Sequence, residues 1–179
     1  KVSYIIGYQI AQDFKTNNVT GLEVDKITQS IDDALAGKES SIPEAEMSAE
    51  MQKFVGNLRA KQEGKTAEEV VDFSKVSTII GFQIGTNFKD GNVEGINTKV
   101  LGLAISDVLG GKESQIAVAA MDSIMNVFST QLQTKQMAIA EKQRVDNAVE
   151  ASAFLAENAG KEGIVTLPDS LQYQIITAG

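Results

Sequence analysis

Apolar side chains recur every three or four residues along most of this chain, and the pattern is written out twice. In the first stretch Val2, Ile5, Ile6, Ile10 and Phe14 share one helical face, widened by Tyr4 and Tyr8. The turn-forming run Asn17-Asn18-Val19-Thr20-Gly21 closes that helix. A second helix is predicted from about Glu23 to Ala36, with Val24, Ile27, Ile31, Ala34 and Leu35 inward and Gly37 where a left-handed terminal residue belongs. Ser41 and Pro43 open a third, since proline is tolerated in a first helical turn. Its stripe is Met47, Met51, Phe54 and Leu58, and Gly64 ends it. Thr66-Ala67-Glu68-Glu69 has the form of a capping box, which predicts a short helix through Phe73 that can run on into the following segment.

The plan then returns at a constant offset of 74 residues. KVSYIIGYQIAQDFKTNNVTGL reappears as KVSTIIGFQIGTNFKDGNVEGI, LAGKESSI as LGGKESQI, and MSAEMQKFVGNLRAKQ as MDSIMNVFSTQLQTKQ. More than two in five of the 62 aligned positions are identical without a gap, so the chain holds two copies of one structural unit. Helices are predicted at Val76–Lys89, at Asn97–Leu109 and from about Ala117, the last with the stripe Met121, Met125, Phe128 and Leu132.

The expected fold is all-α: two tandem three-helix units, 1–64 and 75–136, packed as a pseudo-dimer and joined by a partly helical linker, 65–74. Covalent linkage raises the effective concentration of one unit near the other to roughly millimolar, which favours pairing within the chain. The faces Ile5/Ile6/Ile10 and Ile79/Ile80/Ile84 are expected to meet. Met47, Met51, Phe54, Met121, Met125 and Phe128 are expected to join the same inter-repeat packing. Gly7 with Ala11, and Gly81 with Gly85, put small residues one turn apart on the first helix of each unit. Glycine costs about 1 kcal/mol in a helix interior. Its recurrence at matched positions implies that another helix crosses closely there.

The repeat fails after Gln136. No glycine or proline interrupts the next stretch, so one helix is predicted from Ala117 to Asn158, about 60 Å long at its usual rise. Its later part, the stalk 137–160, is mostly polar. Met137, Ile139 and Val145 interrupt that polarity and have no repeat counterpart to cover them, so they are expected to stay open. The tail 161–179, with GIVTLPDSLQYQIITAG, alternates apolar and polar residues around a Pro-Asp-Ser turn and reads as β-structure.

Composition narrows the chemistry. The chain has no Cys and no His, which removes thiol and Ser–His catalysis, disulfides and the usual zinc sites. The net charge of −8, from 16 basic and 24 acidic residues, argues against nucleic acid and acidic membrane surfaces as partners. No apolar run approaches the roughly 20 residues of a membrane span. Gly37-Lys38-Glu39-Ser40 and Gly111-Lys112-Glu113-Ser114 lack the second glycine and the preceding strand of a phosphate loop, so they read as helix ends. The acidic pairs Asp32-Asp33 and Glu68-Glu69 read as solvated or capping residues. No catalytic, metal-binding or cofactor-binding residue is assigned, and no cofactor is expected.

The KVSYIIGYQI opening, the AGKES turn, the MxxxMxxFxxxLxxKQ helix and the run AFLAENAGKEGIVTLPDSLQY resemble the N-terminal module of FKBP-type peptidyl-prolyl isomerases, in the bacterial macrophage-infectivity-potentiator branch. The resemblance covers essentially all of the chain. Two departures stand out: the module occurs twice, and Asp169-Ser170 replaces the Ser-Gly that follows the proline in the family. The resemblance implies intertwined first helices, a stalk and a chaperone-like role toward unfolded or proline-containing polypeptides, for which Met137, Ile139 and Val145 are the client-binding candidates. It also implies the periplasm or outer envelope of a Gram-negative bacterium, with the cytoplasm left open. The isomerase domain, with its aromatic proline pocket, would lie beyond Gly179. The alternative function is a scaffold that assembles without touching clients.

Overall fold

The computed structural model describes residues 1–66 and 69–177. Among these the elements run α1 (Val2–Thr16), α2 (Val24–Leu35), α3 (Glu44–Gln62), α4 (Phe73–Asp90), α5 (Thr98–Leu109), α6 (Val118–Ala159), β1 (Ile164–Thr166) and β2 (Gln172–Gln174). The fold is all-α with one small hairpin, as the periodicity predicts.

One local device ends the helices of both repeats. After α1 the Val19 amide donates to the Phe14 carbonyl at 2.8 Å and Asn18 to Lys15 at 3.1 Å. After α4, Val93 donates to Phe88 at 2.8 Å and Asn92 to Lys89 at 3.0 Å. This pairing needs a left-handed residue, supplied by Asn18 (φ 52°) and Asn92 (φ 54°). Gly37 (φ 75°) and Gly111 (φ 70°) do the same after α2 and α5. Short amide side chains and glycine tolerate this backbone where other residues strain.

A helix is predicted around 66–73. Ala67 and Glu68 lie outside the described residues, and residues 69–72 carry no helix. The start of α4 is instead set by Asp72, whose carboxylate accepts the amides of Ser74 at 3.0 Å and Lys75 at 3.1 Å. The capping box at Thr66–Glu69 lies partly outside the described residues, and at Glu69 and Asp72 the backbone bonds sideways to α3. The Asn57 amide donates to the Glu69 carbonyl at 2.7 Å and accepts the Glu69 amide at 3.3 Å. The Glu50 carboxylate accepts the Asp72 amide at 2.6 Å. Val70 and Val71, β-branched, favour the extended form.

The chain divides into two units, Lys1–Leu132 and Gln133–Gly179, with the boundary inside α6. In the first unit α1 packs along α5, α4 packs along α2, and α2 crosses α5. Each repeat therefore lends its first helix to the second helix of the other. Ile27 and Ile31 with their counterparts Leu101 and Ile105 form the centre, closed by Ala11 and Val108. Each such isoleucine or leucine contributes about 1.5–3 kcal/mol by leaving water. A second cluster joins Val19, Phe54 and Val76, where α3 lies on α4.

This arrangement corrects the expectation that the isoleucine faces of α1 and α4 pair with each other. The principal partner of α1 is α5, and that of α4 is α2. The reason is steric: the glycines admit a neighbouring backbone, and the backbones that arrive belong to α5 and α2. A Cβ added at Gly7 would stand 2.3 Å from the Leu101 carbonyl oxygen, and one at Gly81 2.3 Å from that of Ile27.

The second unit holds the rest of α6 and the hairpin. Strands β1 and β2 pair antiparallel, Ile164 with Gln174 and Thr166 with Gln172. The Pro-Asp-Ser turn closes through the Leu167 amide to the Leu171 carbonyl at 2.8 Å, with Ser170 left-handed at φ 69°. Gln172 ties the hairpin to the end of α6, donating to the Leu155 carbonyl at 2.8 Å and accepting from Asn158 at 2.9 Å. Among the described residues no helix is long and apolar enough to cross a membrane.

Candidate functional site

The crossing of the repeats is built from matched bonds. Ser3 on α1 accepts the Asn97 amide at 3.0 Å, and its counterpart Ser77 on α4 accepts the Glu23 amide at 2.8 Å. Each serine thus closes the N-terminal end of the other repeat's second helix. Ile5 and Ile79 are fully buried. Ile6, Ile10 and Ile84 are half-buried around the central cluster, and Ile80 is half-buried beside the second one. Phe54 and Met121 are buried, whereas Met47, Met51, Met125 and Phe128 are half-buried.

One buried polar group breaks the symmetry, and the residue pattern had not singled it out. The Tyr4 hydroxyl donates to the Asp107 carboxylate at 3.2 Å and accepts the Gln115 amide at 3.1 Å. The Gln115 side chain donates to the same carboxylate oxygen at 2.8 Å, and Lys112 approaches the other at 3.3 Å. The Gln115 bond, helped by Lys112 and Tyr4 against the effect of burial, holds the Asp107 carboxyl below the usual carboxylate range. Thr78 stands at the place of Tyr4 in the second repeat, so the aligned repeats do flag the position as different. Tyr4 and Asp107 are 103 residues apart, and only the tertiary structure joins them. The group pins two repeats together. Among the described residues there is no cluster of acidic side chains suited to a metal ion.

Two apolar surfaces in the first unit and one in the second are candidates for contact. Between α3 and the segment 69–73 lies a cavity of about 180 Å³ lined by Phe54, Leu58, Val71 and Phe73. Phe54 and Phe73 meet edge-to-face with ring centres 6.4 Å apart. Asn57, Lys61 and Glu69 form its polar rim. That volume suits one aliphatic side chain, below the roughly 300 Å³ of a typical small-molecule site. On the outer side of α3, Met51 and Val55 line a shallow depression with Gln52 and Arg59.

The third surface lies within the second unit. Met137 is 64% exposed and Val145 47% exposed, while Ile139 is half-buried. The three do not form one patch. Val145 belongs to a shallow groove with Ala148, Val149, Ala153 and Ala156. Val149, 64% exposed, and Phe154, 61% exposed, were missed by the residue reading. Val149 follows Val145 at the four-residue spacing of one helix face, which was the available signal. Tyr173 on β2 is exposed, and no pocket among the described ones is built around it.

With this geometry in place, comparison defines the class: a helical domain of a recognised family. The chain matches the family described as the domain amino-terminal to FKBP-type peptidyl-prolyl isomerase twice, over residues 1–72 and 73–175, and it belongs to that family. It is 36% identical over 108 residues to "Outer membrane protein MIP" of Legionella longbeachae, an alignment covering 60% of this chain and 46% of that protein. It is 30% identical over 105 residues to "Peptidyl-prolyl cis-trans isomerase Mip" of Coxiella burnetii, covering 59% and 45%. It is 34% identical over 110 residues to "Probable FKBP-type peptidyl-prolyl cis-trans isomerase FkpA" of Neisseria meningitidis, covering 59% and 39%. The chain thus matches less than half the length of these curated relatives.

Proposed function

We propose that the chain is the assembly and client-binding module of an FKBP-type isomerase, acting on unfolded or proline-containing polypeptides. The duplicated repeats form the rigid part, pairing with each other inside one chain as matched subunits would. The client surface is the α6 segment carrying Met137, Ile139 and Val145, extended by Val149. The observation that carries this reading is the exposure of Met137, Val145 and Val149, together with membership of the family. Val145 and Val149 share one groove, and contiguous exposed apolar surface marks contacts with other chains. In this reading the hairpin Ile164–Gln174 is the first part of the isomerase domain, and the exposed apolar residues on it are its edge. The names of the relatives favour a place in the cell envelope of a Gram-negative bacterium.

The test is suppression of aggregation of a denatured protein, with prolyl isomerisation of a short peptide measured beside it. The chain slows aggregation and leaves isomerisation unchanged. Replacing Met137, Ile139 and Val145 by Ser reduces protection without loss of helicity. Undiminished protection in the triple variant moves the client surface elsewhere. No protection by the unaltered chain leaves the scaffold reading. Measurable isomerase activity removes the division of labour.

A further inference from the structure

The two crossings of the first unit share their grip but not their detail. A Cβ at Gly7 or at Gly81 would stand 2.3 Å from a carbonyl oxygen of the opposite repeat, and Ser3 and Ser77 each accept an amide from it. These contacts are the same on both sides. They hold any two such repeats together and cannot tell one from the other. Discrimination falls to matched positions that differ, and three sets of these meet at the crossings.

At the centre the Thr28 methyl lies 2.6 Å from where a Cβ on Gly102 would stand. Two copies of repeat 1 would set Thr28 against Thr28, with no hollow for either methyl. Two copies of repeat 2 would set Gly102 against Gly102 and leave a void. Where α4 lies on α2, a Cβ at Gly85 would stand 2.7 Å from the Ala34 Cβ and 2.8 Å from the Ile31 carbonyl oxygen. Ala11 is the counterpart of Gly85, so α1 cannot take that place. On α5 the counterpart of Ala34 is the larger Val108, buried in one cluster with Ala11. The third set is polar. The Tyr4 hydroxyl bonds both the Asp107 carboxylate, whose side chain is 4% exposed, and the Gln115 amide. The matched Thr78 hydroxyl turns to the Ser74 carbonyl of its own helix at 2.9 Å, and Asp33 pairs with Lys38 at 2.7 Å. With α4 in the place of α1, Asp107 and the Gln115 amide would lose their hydroxyl partner, which is costly where they are buried. With α1 in the place of α4, Tyr4 would meet Ser41, which has no amide side chain to close the group.

We propose that these positions form a recognition code by which each repeat selects the other as its partner and rejects a second copy of itself. The face of repeat 1 fits a face of repeat 2, from the same chain or, by exchange of repeats, from a second copy of the chain. Selectivity of this kind needs both a better fit to the right partner and a misfit to the wrong one, and the three sets supply both. The inference goes beyond the functional reading above and does not depend on where a client binds.

The experiment compares three variants of the full chain by urea unfolding and sedimentation. The first gives repeat 2 the residues of repeat 1: Thr78→Tyr, Gly85→Ala, Gly102→Thr, Val108→Ala and Gln115→Ser. The second does the reverse: Tyr4→Thr, Ala11→Gly, Thr28→Gly, Ala34→Val and Ser41→Gln. The third carries both sets, so that the code is exchanged between the repeats. Each half-exchanged chain is expected to lose about tenfold or more in its folding constant, the effect of a single overpacked contact. The fully exchanged chain is expected to recover most of that loss. Independent damage would add instead and make the third variant the least stable, and that result overturns the proposal. So does a half-exchanged chain that keeps the parent's urea midpoint, alone or as a dimer of like chains. Where a half-exchanged chain does not fold, the third variant still decides. A midpoint near the parent's supports the code, and failure to fold overturns it.

Discussion

Thr28 on α2 and Gly102 on α5 hold the same position in the two repeats and face each other: the Thr28 methyl lies 2.6 Å from where a Cβ on Gly102 would stand. Equivalent residues meet only at a two-fold axis. A dimer of identical units would place two copies of one side chain there. Duplication within one chain allows one to be large and the other to be absent. Gly102→Thr should therefore cost about 1–3 kcal/mol by overpacking. Adding Thr28→Gly should recover much of that loss, giving a favourable coupling in a double-mutant cycle from urea unfolding. Additive effects would mean that the two positions do not share this space.

Glycine-to-alanine changes should have opposite signs on different helices. At Gly7 and Gly81 the new methyl would meet carbonyl oxygens of Leu101 and Ile27 at 2.3 Å, and backbone cannot rotate away. Each change should cost about 3 kcal/mol, the top of the usual overpacking range. Gly56 on α3 has open space around it, so Gly56→Ala should stabilise by about 0.5–1 kcal/mol through helix propensity alone. Urea midpoints check all three, and a neutral Gly81→Ala would refute the close crossing.

Tyr4→Phe keeps the buried ring but removes a donor to Asp107 and an acceptor for the Gln115 amide. The melting temperature should fall by a few degrees. The Asp107 carboxyl should also titrate closer to its ordinary range, which carboxylate NMR reads directly. An unchanged titration would show that Gln115 and Lys112 hold the carboxylate unaided.

The pH dependence follows from Glu50. Its carboxyl is held below the usual range, first by the Asp72 amide and then by Lys53, against the effect of burial. In the unfolded chain it titrates near the ordinary value of about 4.3. Below that value the unfolded state binds the proton first, so stability is complete above it and is lost as pH falls through the lower folded pKa. Glu50→Gln should flatten the loss of stability below about pH 4.3. Denaturant melts between neutral and acid pH measure this, and an unaltered slope would assign the acid sensitivity to other carboxylates.

Much of the architecture was legible along the chain, because a repeat at fixed offset and a 3.6-residue period are local properties. The helix ends at Asn18, Gly37 and Gly64, the turn at Pro168-Asp169-Ser170 and the uninterrupted α6 each rest on a few adjacent residues. The segment 66–73 shows where such reading stops. Its local signal is a capping box, whereas the backbone of Glu69 and Asp72 bonds to Asn57 and Glu50, far off in sequence.

By itself, the sequence determined that there are two units, that they are helical, which side chains each helix turns inward, and the family to which they belong. The tertiary structure decided which helix each face meets. Periodicity defines an apolar face but says nothing of its partner, since hydrophobic attraction has no direction. The fit is one of shape, with the Leu101 and Ile27 backbones received at Gly7 and Gly81 and the Thr28 methyl at Gly102. The same holds for Tyr4 and Asp107: neither residue carries a mark of the other, and burial alone makes their bond necessary.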